Sequence, residues 1–422
     1  MCSQWRCLSP SNALNASGRH KARLLWIQNF ADYANPGVQD IVGQADVVVF
    51  QRNLIVPELW EAMEYWRGLG KAVVADLDDD YPNLPHSNPA HKFWIGNVVN
   101  LPNPPIELLT KGLRHCDALF SPSKVILRDW ADVVPGVWVP NWADRAFYHG
   151  VEPKGSQSER IVIGWGGSVS HLDSWQFSGL REAATEICKL RPQVQFKICG
   201  NDSRIFEQLP VPPENKVMQT GVPPEKWPSI VAGFDIGVAP LDLREGDGSY
   251  DARRSWIKAL ECLLCGVPWV GSAGAPYEDM GWCGTLVPNT PEAWVAALLL
   301  KIDHLAEERK QMLKWHRQNA NRYFLDANVK KMEEAFQRAL ELRQLRERLP
   351  RVFYVTAKGQ PRNLQPVSSV GVKFAHSQEQ TFGATRRMLE EMACDYAGVP
   401  ISAPLEYDAI QFVNRAVAGG AQ

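Results

Sequence analysis

Residues 160–171, RIVIGWGGSVSH, carry a short apolar run straight into a glycine-rich turn and then into a polar, helix-starting segment. An apolar run of that length bounded by glycine reads as a buried strand. The glycines let the backbone turn tightly, or approach a ligand that a β-carbon would exclude. Working downstream, VQFKICG (194–200), KVMQTG (216–221), FDIGVAP (234–240), VPWVGS (267–272) and GTLVP (284–288) read as further strands. The stretches between them, 171–190, 224–233, 253–264 and 291–302, have helical spacing. Working upstream, RLLWIQ (23–28), ADVVVFQ (45–51), KAVVADL (71–77), DALFS (117–121) and GVWVP (136–140) read as strands, with helices over 57–69 and 123–131. Strands alternating with helix-length segments imply parallel βαβ units with right-handed crossovers.

The alternation breaks once, at VPNWADRAFYHGVEPKGSQSE (139–159), a Pro- and Gly-containing linker. Two alternating halves of this kind make two doubly wound, Rossmann-like domains facing a cleft. The expected boundaries are an N-terminal domain over 1–140, a linker over 141–158, a C-terminal domain plus helices over 159–348, and an extension over 349–422. In the extension the pattern is lost, then regained in ATRRMLEEMACDYA (384–397) and YDAIQFVNRAVA (407–418).

Composition fits this reading. The chain has 422 residues, 45 % hydrophobic and 22 % charged, too many for one ordinary core. A net charge of −2 gives no global attraction to nucleic acid or membrane. The nine cysteines are scattered and odd in number, unlike a secreted disulfide framework. Cys262 and Cys265 form a CxxC inside a helical stretch with no second pair of ligands, so they read as buried thiols and no metal site is expected. With no apolar run long enough for a signal peptide or a membrane span, the expected location is cytoplasmic, with no membrane partner.

Three segments carry chemistry. Gly166, Gly167 and Ser168 lie at a strand end, where ligands bind in open α/β sheets, and the next helix offers N–H groups to an anion. Arg254, Lys258 and Glu261 are spaced by four and three, so a helix would put them on one face. Two cations and a carboxylate there suit a nucleoside diphosphate, and equally an intrahelical charge ladder. In VVADLDDDYPNLPHSNPAHKFW (73–94) a buried strand ends in Asp76, Asp78, Asp79 and Asp80. Clustered carboxylates repel, so they must pair, bind a cation or serve chemistry, unless they merely cap turns. His86, His91 and His171 flank these loops.

From residue 136 to about 300 the chain resembles family 4-like glycosyltransferases of the GT-B fold. The resemblance rests on VPNWADRAF, on FKICG followed by VMQTGVPPEKWPSIVAGFDIGVAPL, on KALECLLCGVPWVGSAGAPYEDMG and on GTLVPNTPEAWVAAL, in that order. The Asp cluster and its Asn-Pro loop resemble a branch frequent in phage and bacterial genomes. The resemblance implies a retaining transfer from a nucleoside-diphosphate sugar, which is the co-substrate, with no cofactor. Glu261 would bind the donor ribose, Arg254 and Lys258 its diphosphate, with Gly166, Gly167, Ser168 and Glu278 bordering the donor. Asp78, Asp79, Asp80 and His171 are the catalytic candidates, by orienting an acceptor hydroxyl or acting as its base; a divalent cation is an option but not a requirement. The chain departs from the family pattern at Arg253, where a carboxylate belongs, and lacks the Arg and Lys after GWGGS. Arg254 and Lys258, with Arg253, are expected to replace that charge.

For the acceptor, seven Lys/Arg against one acidic residue over 342–373, with Phe353 and Tyr354 between them, point to a polyanion. A hydroxymethylated base in DNA is the first expectation, a polysaccharide or small metabolite the second. A non-catalytic sugar-nucleotide-binding module is the reading from another class. A dinucleotide oxidoreductase is disfavoured because IGWGGSVSH lacks the GxGxxG spacing.

Overall fold

The computed structural model describes residues 3–96, 103–152, 159–348, 351–356, 371–373 and 410–414. The chain divides into two compact units, Met1–Ala339 and Leu340–Gln422. The first unit holds two parallel sheets. Strands β1 (Val47–Gln51), β2 (Ala72–Asp76), β3 (Ala118–Ser121) and β4 (Gly136–Trp138) pair in chain order. Strands β5 (Ile161–Gly166), β6 (Val194–Cys199), β7 (Lys216–Gln219), β8 (Ile236–Ala239), β9 (Trp269–Ser272) and β10 (Thr285–Val287) form a second sheet in the order β10-β9-β8-β5-β6-β7. Counted from its own first strand that order is 3-2-1-4-5-6, with the reversal between β5 and β8.

The strands are apolar because both faces are covered. Every residue of β2, β3, β8 and β9 is buried. Successive residues of β9, Trp269 and Val270, join different core clusters, which places one cluster on each face of the second sheet. The first sheet packs around Trp66, Leu109 and Leu119.

Four local expectations change. RLLWIQ is not a strand: residues 19–26 form no regular element, a helix follows over Ile27–Ala31, and Trp26 is 78 % exposed. Its Leu25 and Ile27 pack on the first core from outside the sheet. The stretch 171–190 is two helices, Leu172–Phe177 and Leu180–Leu190, because Gly179 sits at φ +84 where the chain passes close against Thr290 and Pro291. The helix expected from 253 starts only at Ile257 and ends at Leu264. Beyond the helices Pro291–Asp303, Leu305–Asn319 and Val329–Arg348, residues Ile410–Asn414 inside YDAIQFVNRAVA are a strand. Their Ile, Phe and Val suit a pleated surface as well as a helix. This β13 pairs antiparallel with β11 (Arg351–Thr356), which also pairs with β12 (Gly371–Lys373). Residues 384–397 lie outside the described residues, as does half of the basic stretch 342–373.

Candidate active site

The second sheet brings its reversal to the carboxyl ends of β5 and β8, the place where doubly wound sheets bind ligands. The turn after β5 is packed more tightly than its glycines suggested. A β-carbon on Gly166 would lie 2.0 Å from the Trp227 ring, and one on Gly167 2.7 Å from Trp165. These two glycines therefore make room for indole rings at those positions, not for a ligand. Ser168 is exposed and bonds Ser170 at 2.7 Å. A single 3-10 turn, Val169–His171, leads into the six-residue helix Leu172–Phe177.

Arg254 is held by a closed ring of hydrogen bonds. Its Nε donates to Asp251, its Nη2 to the Ser170 carbonyl at 2.9 Å, and its Nη1 faces His171 Nε2 at 3.1 Å. Ser174 Oγ donates to the other Asp251 oxygen at 2.6 Å and lies 3.4 Å from His171 Nδ1. The arrangement fits an imidazole that carries its proton on Nδ1 and accepts from Arg254 through Nε2. Burial, then the Arg254 and Lys258 charges, pull the His171 pKa well below its ordinary value, so it stays neutral. His171 thus sits behind Arg254 with its Nε2 already engaged. Burial opposes the Arg254 charge, but Tyr250, Asp251 and Asp79 outweigh it and raise its pKa.

Arg254 is not on the helix face expected for it. Tyr250–Arg253 is a 3-10 turn and Arg254 is extended, φ −69 and ψ 174. Asp251 accepts the Asp242 backbone N–H at 2.7 Å as well as the Arg254 and Ser174 bonds, and this side-chain network replaces the first helical turn. Asp251 is the member of the Arg254 network that the sequence reading missed. Its only trace in the sequence is the Asp-x-x-Arg spacing to Arg254. Lys258 and Glu261 do lie on the helix Ile257–Leu264. Lys258 Nζ donates to the Gly166 carbonyl at 2.6 Å and lies 4.9 Å from the Trp165 ring centroid. Burial pulls its pKa down to about 8 against the opposing pull of Glu261. Burial pushes Glu261 up to about 7, opposed by a Trp227 indole bond and then by Lys258.

The Asp cluster projects from the end of β2, and arginines meet it. Asp76 is buried against Arg6, Nη2 to Oδ2 2.7 Å, with burial raising its pKa more than Arg6 lowers it. Arg6 also donates to the Val139 carbonyl and to Asn141 Oδ1. Asp78 pairs with Arg52 at 3.3 Å, and Arg52 itself sits at φ 59, a rare conformation for a side chain with a β-carbon. Asp80 pairs with Arg253 of the second domain at 3.0 Å, and Arg253 also reaches Asp129 at 2.6 Å. Arg253 therefore faces the first domain and does not join Arg254 and Lys258 as extra charge for a donor. Burial pushes Asp80 up to about 6. Asp79 takes the Tyr250 hydroxyl across the domain boundary and feels Arg254; burial raises its pKa. Among the described residues no group of three or more His, Cys, Asp or Glu could hold a metal ion. Cys262 and Cys265 are buried free thiols. His86 and His91 pack ring to ring at a tilt of 39°, centroids 4.1 Å apart.

Between the two sheets of the first unit lies a cavity of about 320 Å³. Arg254 and Glu278 line it, whereas Lys258 and Glu261 do not. The three donor candidates of the sequence thus fall in two places: Arg254 on the cavity, the other two under the β5 turn beside Trp227.

No protein-family model and no curated protein matches the chain. Solved structures do match. Sucrose-phosphate synthase from Thermosynechococcus elongatus is similar over 75 % of this chain and 77 % of its own, with a TM-score of 0.50 at 13 % identity. TarM from S. aureus is similar over 69 % of this chain and 54 % of its own, with a TM-score of 0.50 at 12 % identity. The fold is GT-B. Both parallel sheets and the helical region after them belong to it. No helix among the described residues is long and apolar enough to cross a membrane.

Proposed function

We propose that this chain is a glycosyltransferase that moves a sugar from a nucleoside-diphosphate sugar to an acceptor hydroxyl. The observation that carries this reading is Arg254, a guanidinium fixed by Asp251, His171 and the Ser170 carbonyl at the rim of an interdomain cavity in a GT-B fold. A structure of that fold belongs to a sucrose-phosphate synthase, an enzyme named for making a glycoside.

In this reading, negative charge grows on the leaving diphosphate as the bond to the sugar breaks. Arg254, held in place before the reaction, stabilises that charge without reorganising. Lys258 adds charge from beneath the β5 turn, and Glu261 takes the donor ribose once Trp227 has moved aside. Ser168 and Glu278 border the donor. Asp79, which takes the Tyr250 hydroxyl but, among the described residues, no arginine, orients the acceptor hydroxyl, whereas Asp78 and Asp80 are each paired with an arginine. Retention of configuration is part of the proposal and rests on the sequence resemblance. The DNA acceptor rests on the basic stretch 342–373 alone, so a saccharide or small-metabolite hydroxyl competes with it.

The second reading, a binding module without catalysis, is favoured by one observation: the Trp227 indole covers Glu261. Incubation with uridine, guanosine, adenosine and thymidine diphosphate sugars separates the two. An enzyme should slowly release nucleoside diphosphate from its cognate donor, and Arg254→Ala should cut that release by about 100-fold or more. At about 100-fold over its dissociation constant the cognate donor should also add about 2.7 kcal/mol of stability. Stabilisation without hydrolysis selects the binding module, and neither effect with any donor overturns the proposal.

A further inference from the structure

We infer that Arg6 is a positioning residue, a pin set through the linker that ties the Asp76–Asp80 strand end of the first domain to the Arg254 segment of the second. What this implies for turnover rests on the glycosyltransferase reading above. Both edges of the buried guanidinium are in use. Nε and Nη2 form a fork on the Asp76 carboxylate at 3.0 and 2.7 Å. Nη1 donates to the Val139 carbonyl at 2.8 Å and to Asn141 Oδ1 at 3.1 Å. Asn141 passes the contact on. Its Nδ2 donates to Ser255 Oγ at 2.9 Å, and its carbonyl accepts the Trp256 indole N–H at 3.0 Å. Arg6, Asp76 and Asn141 are 9, 3 and 2 % exposed, so water competes little for these bonds. One cation thus meets the last residue of β2, the linker and, through one amide, the residue next to Arg254.

The segment that carries Arg6 is anchored on every side. A single π turn, Gln4–Leu8, runs into the helix Ser9–Ala16. Ser3 Oγ and Cys7 Sγ donate to Gln51 at the end of β1, and Ser9 Oγ donates to Asp144 in the linker. Trp5 packs on a core cluster of the second domain, and Leu14 is buried with Trp142, Leu325, Val329 and Met332. A local ion pair would account for Asp76 alone, and not for the linker bonds or the amide relay beyond them. The two ends of the pin carry groups that must stay in register. The Asp78–Asp80 loop leaves from Asp76, and Asp79 meets the Tyr250 hydroxyl and the Arg254 charge. A shift of about 1 Å between reacting groups costs up to about 100-fold in rate. Arg6 itself does not line the cavity, so its substitution should slow the chemical step and leave donor affinity alone.

Two variants test the pin on the full chain, with circular dichroism to check that each is folded. Arg6→Lys keeps the charge but loses the fork, since one ammonium cannot replace the planar set of donors. Asn141→Ala keeps the Arg6–Asp76 pair and cuts the side-chain branch to Ser255. Amide hydrogen exchange read by mass spectrometry should rise about tenfold or more at 77–82 and at 250–257 in Arg6→Lys. In Asn141→Ala it should rise at 250–257 alone, and 180–190 should be unchanged in both. Diphosphate release from the cognate donor should show kcat lower by about tenfold or more in both variants, with KM within about twofold of the wild type. Faster exchange confined to 77–82 in Arg6→Lys, unchanged kcat in the folded variants, or a raised KM with kcat unchanged overturns the inference. Should Arg6→Lys not fold, Asn141→Ala decides alone. If the wild type hydrolyses no donor, the glycosyltransferase reading falls, and the exchange pattern then decides the pin by itself.

Discussion

Arg254 owes its position to three neighbours, and His171 is the one whose protonation can be followed. A buried imidazole that accepts a hydrogen bond from a guanidinium cannot take a second proton on that nitrogen without breaking the contact. Its folded-state pKa lies well below 6.5, and the unfolded chain binds the proton that the folded chain refuses. The stability that His171 contributes is therefore complete above about pH 6.5 and is lost as the pH falls below it, by up to ~1.4 kcal/mol per unit. His171→Gln keeps an acceptor for Arg254 and removes the titration. Urea unfolding at pH 7 and pH 5 should show the wild type losing about 1–2 kcal/mol more than the variant. Parallel losses would mean that the imidazole protonates inside the fold and that the ring opens.

At the scale of elements, strands were easier to read than the chain leading into helices. Ten strands of the first unit are short apolar runs ended by Gly, Pro or polar residues, and such runs are visible without tertiary context. RLLWIQ has the same look, yet it packs from outside the sheet, because periodicity reports apolarity and not a pairing partner. RRSWIKALECLL has good helical spacing, but Asp251, just before it, bonds three donors and unwinds its start. That outcome depends on Ser174 and Asp242, which are remote in sequence and invisible to local pattern. The GWGGS turn was legible as a turn, but its glycines answer to Trp227 and Trp165. The dependence gives a test. Gly166→Ala drives a methyl into the Trp227 ring and should cost about 1–3 kcal/mol. Trp227→Phe shortens the ring, so the double variant should lose at least about 1 kcal/mol less than the sum of the single losses. Additive losses in denaturant unfolding would show that the ring already yields to the methyl.

Across the whole molecule, a network of charged and polar contacts joins the two sheets of the first unit. Arg253 connects the second domain to Asp80 and Asp129 of the first, and it also donates to the Asp247 and Ser249 carbonyls that shape its own turn. Lys124–Asp279 and Asn141–Ser255 cross the same boundary. A buried ion pair adds little over apolar residues of equal size, but losing one partner strands the other charge in low dielectric. Arg253→Met leaves Asp80 buried without its cation, and burial already pushes that carboxyl up to about 6. Near pH 7.5 the ionised Asp80 must then be hydrated or protonated, and the cheapest relief is for the domains to part and let water in. Calorimetry should therefore split one cooperative transition of the wild type into two, with a loss of about 3–5 kcal/mol at the first. Asp80→Leu in the same chain removes the stranded charge and should recover most of that stability. A single transition in Arg253→Met would show that something other than this charge network couples the domains.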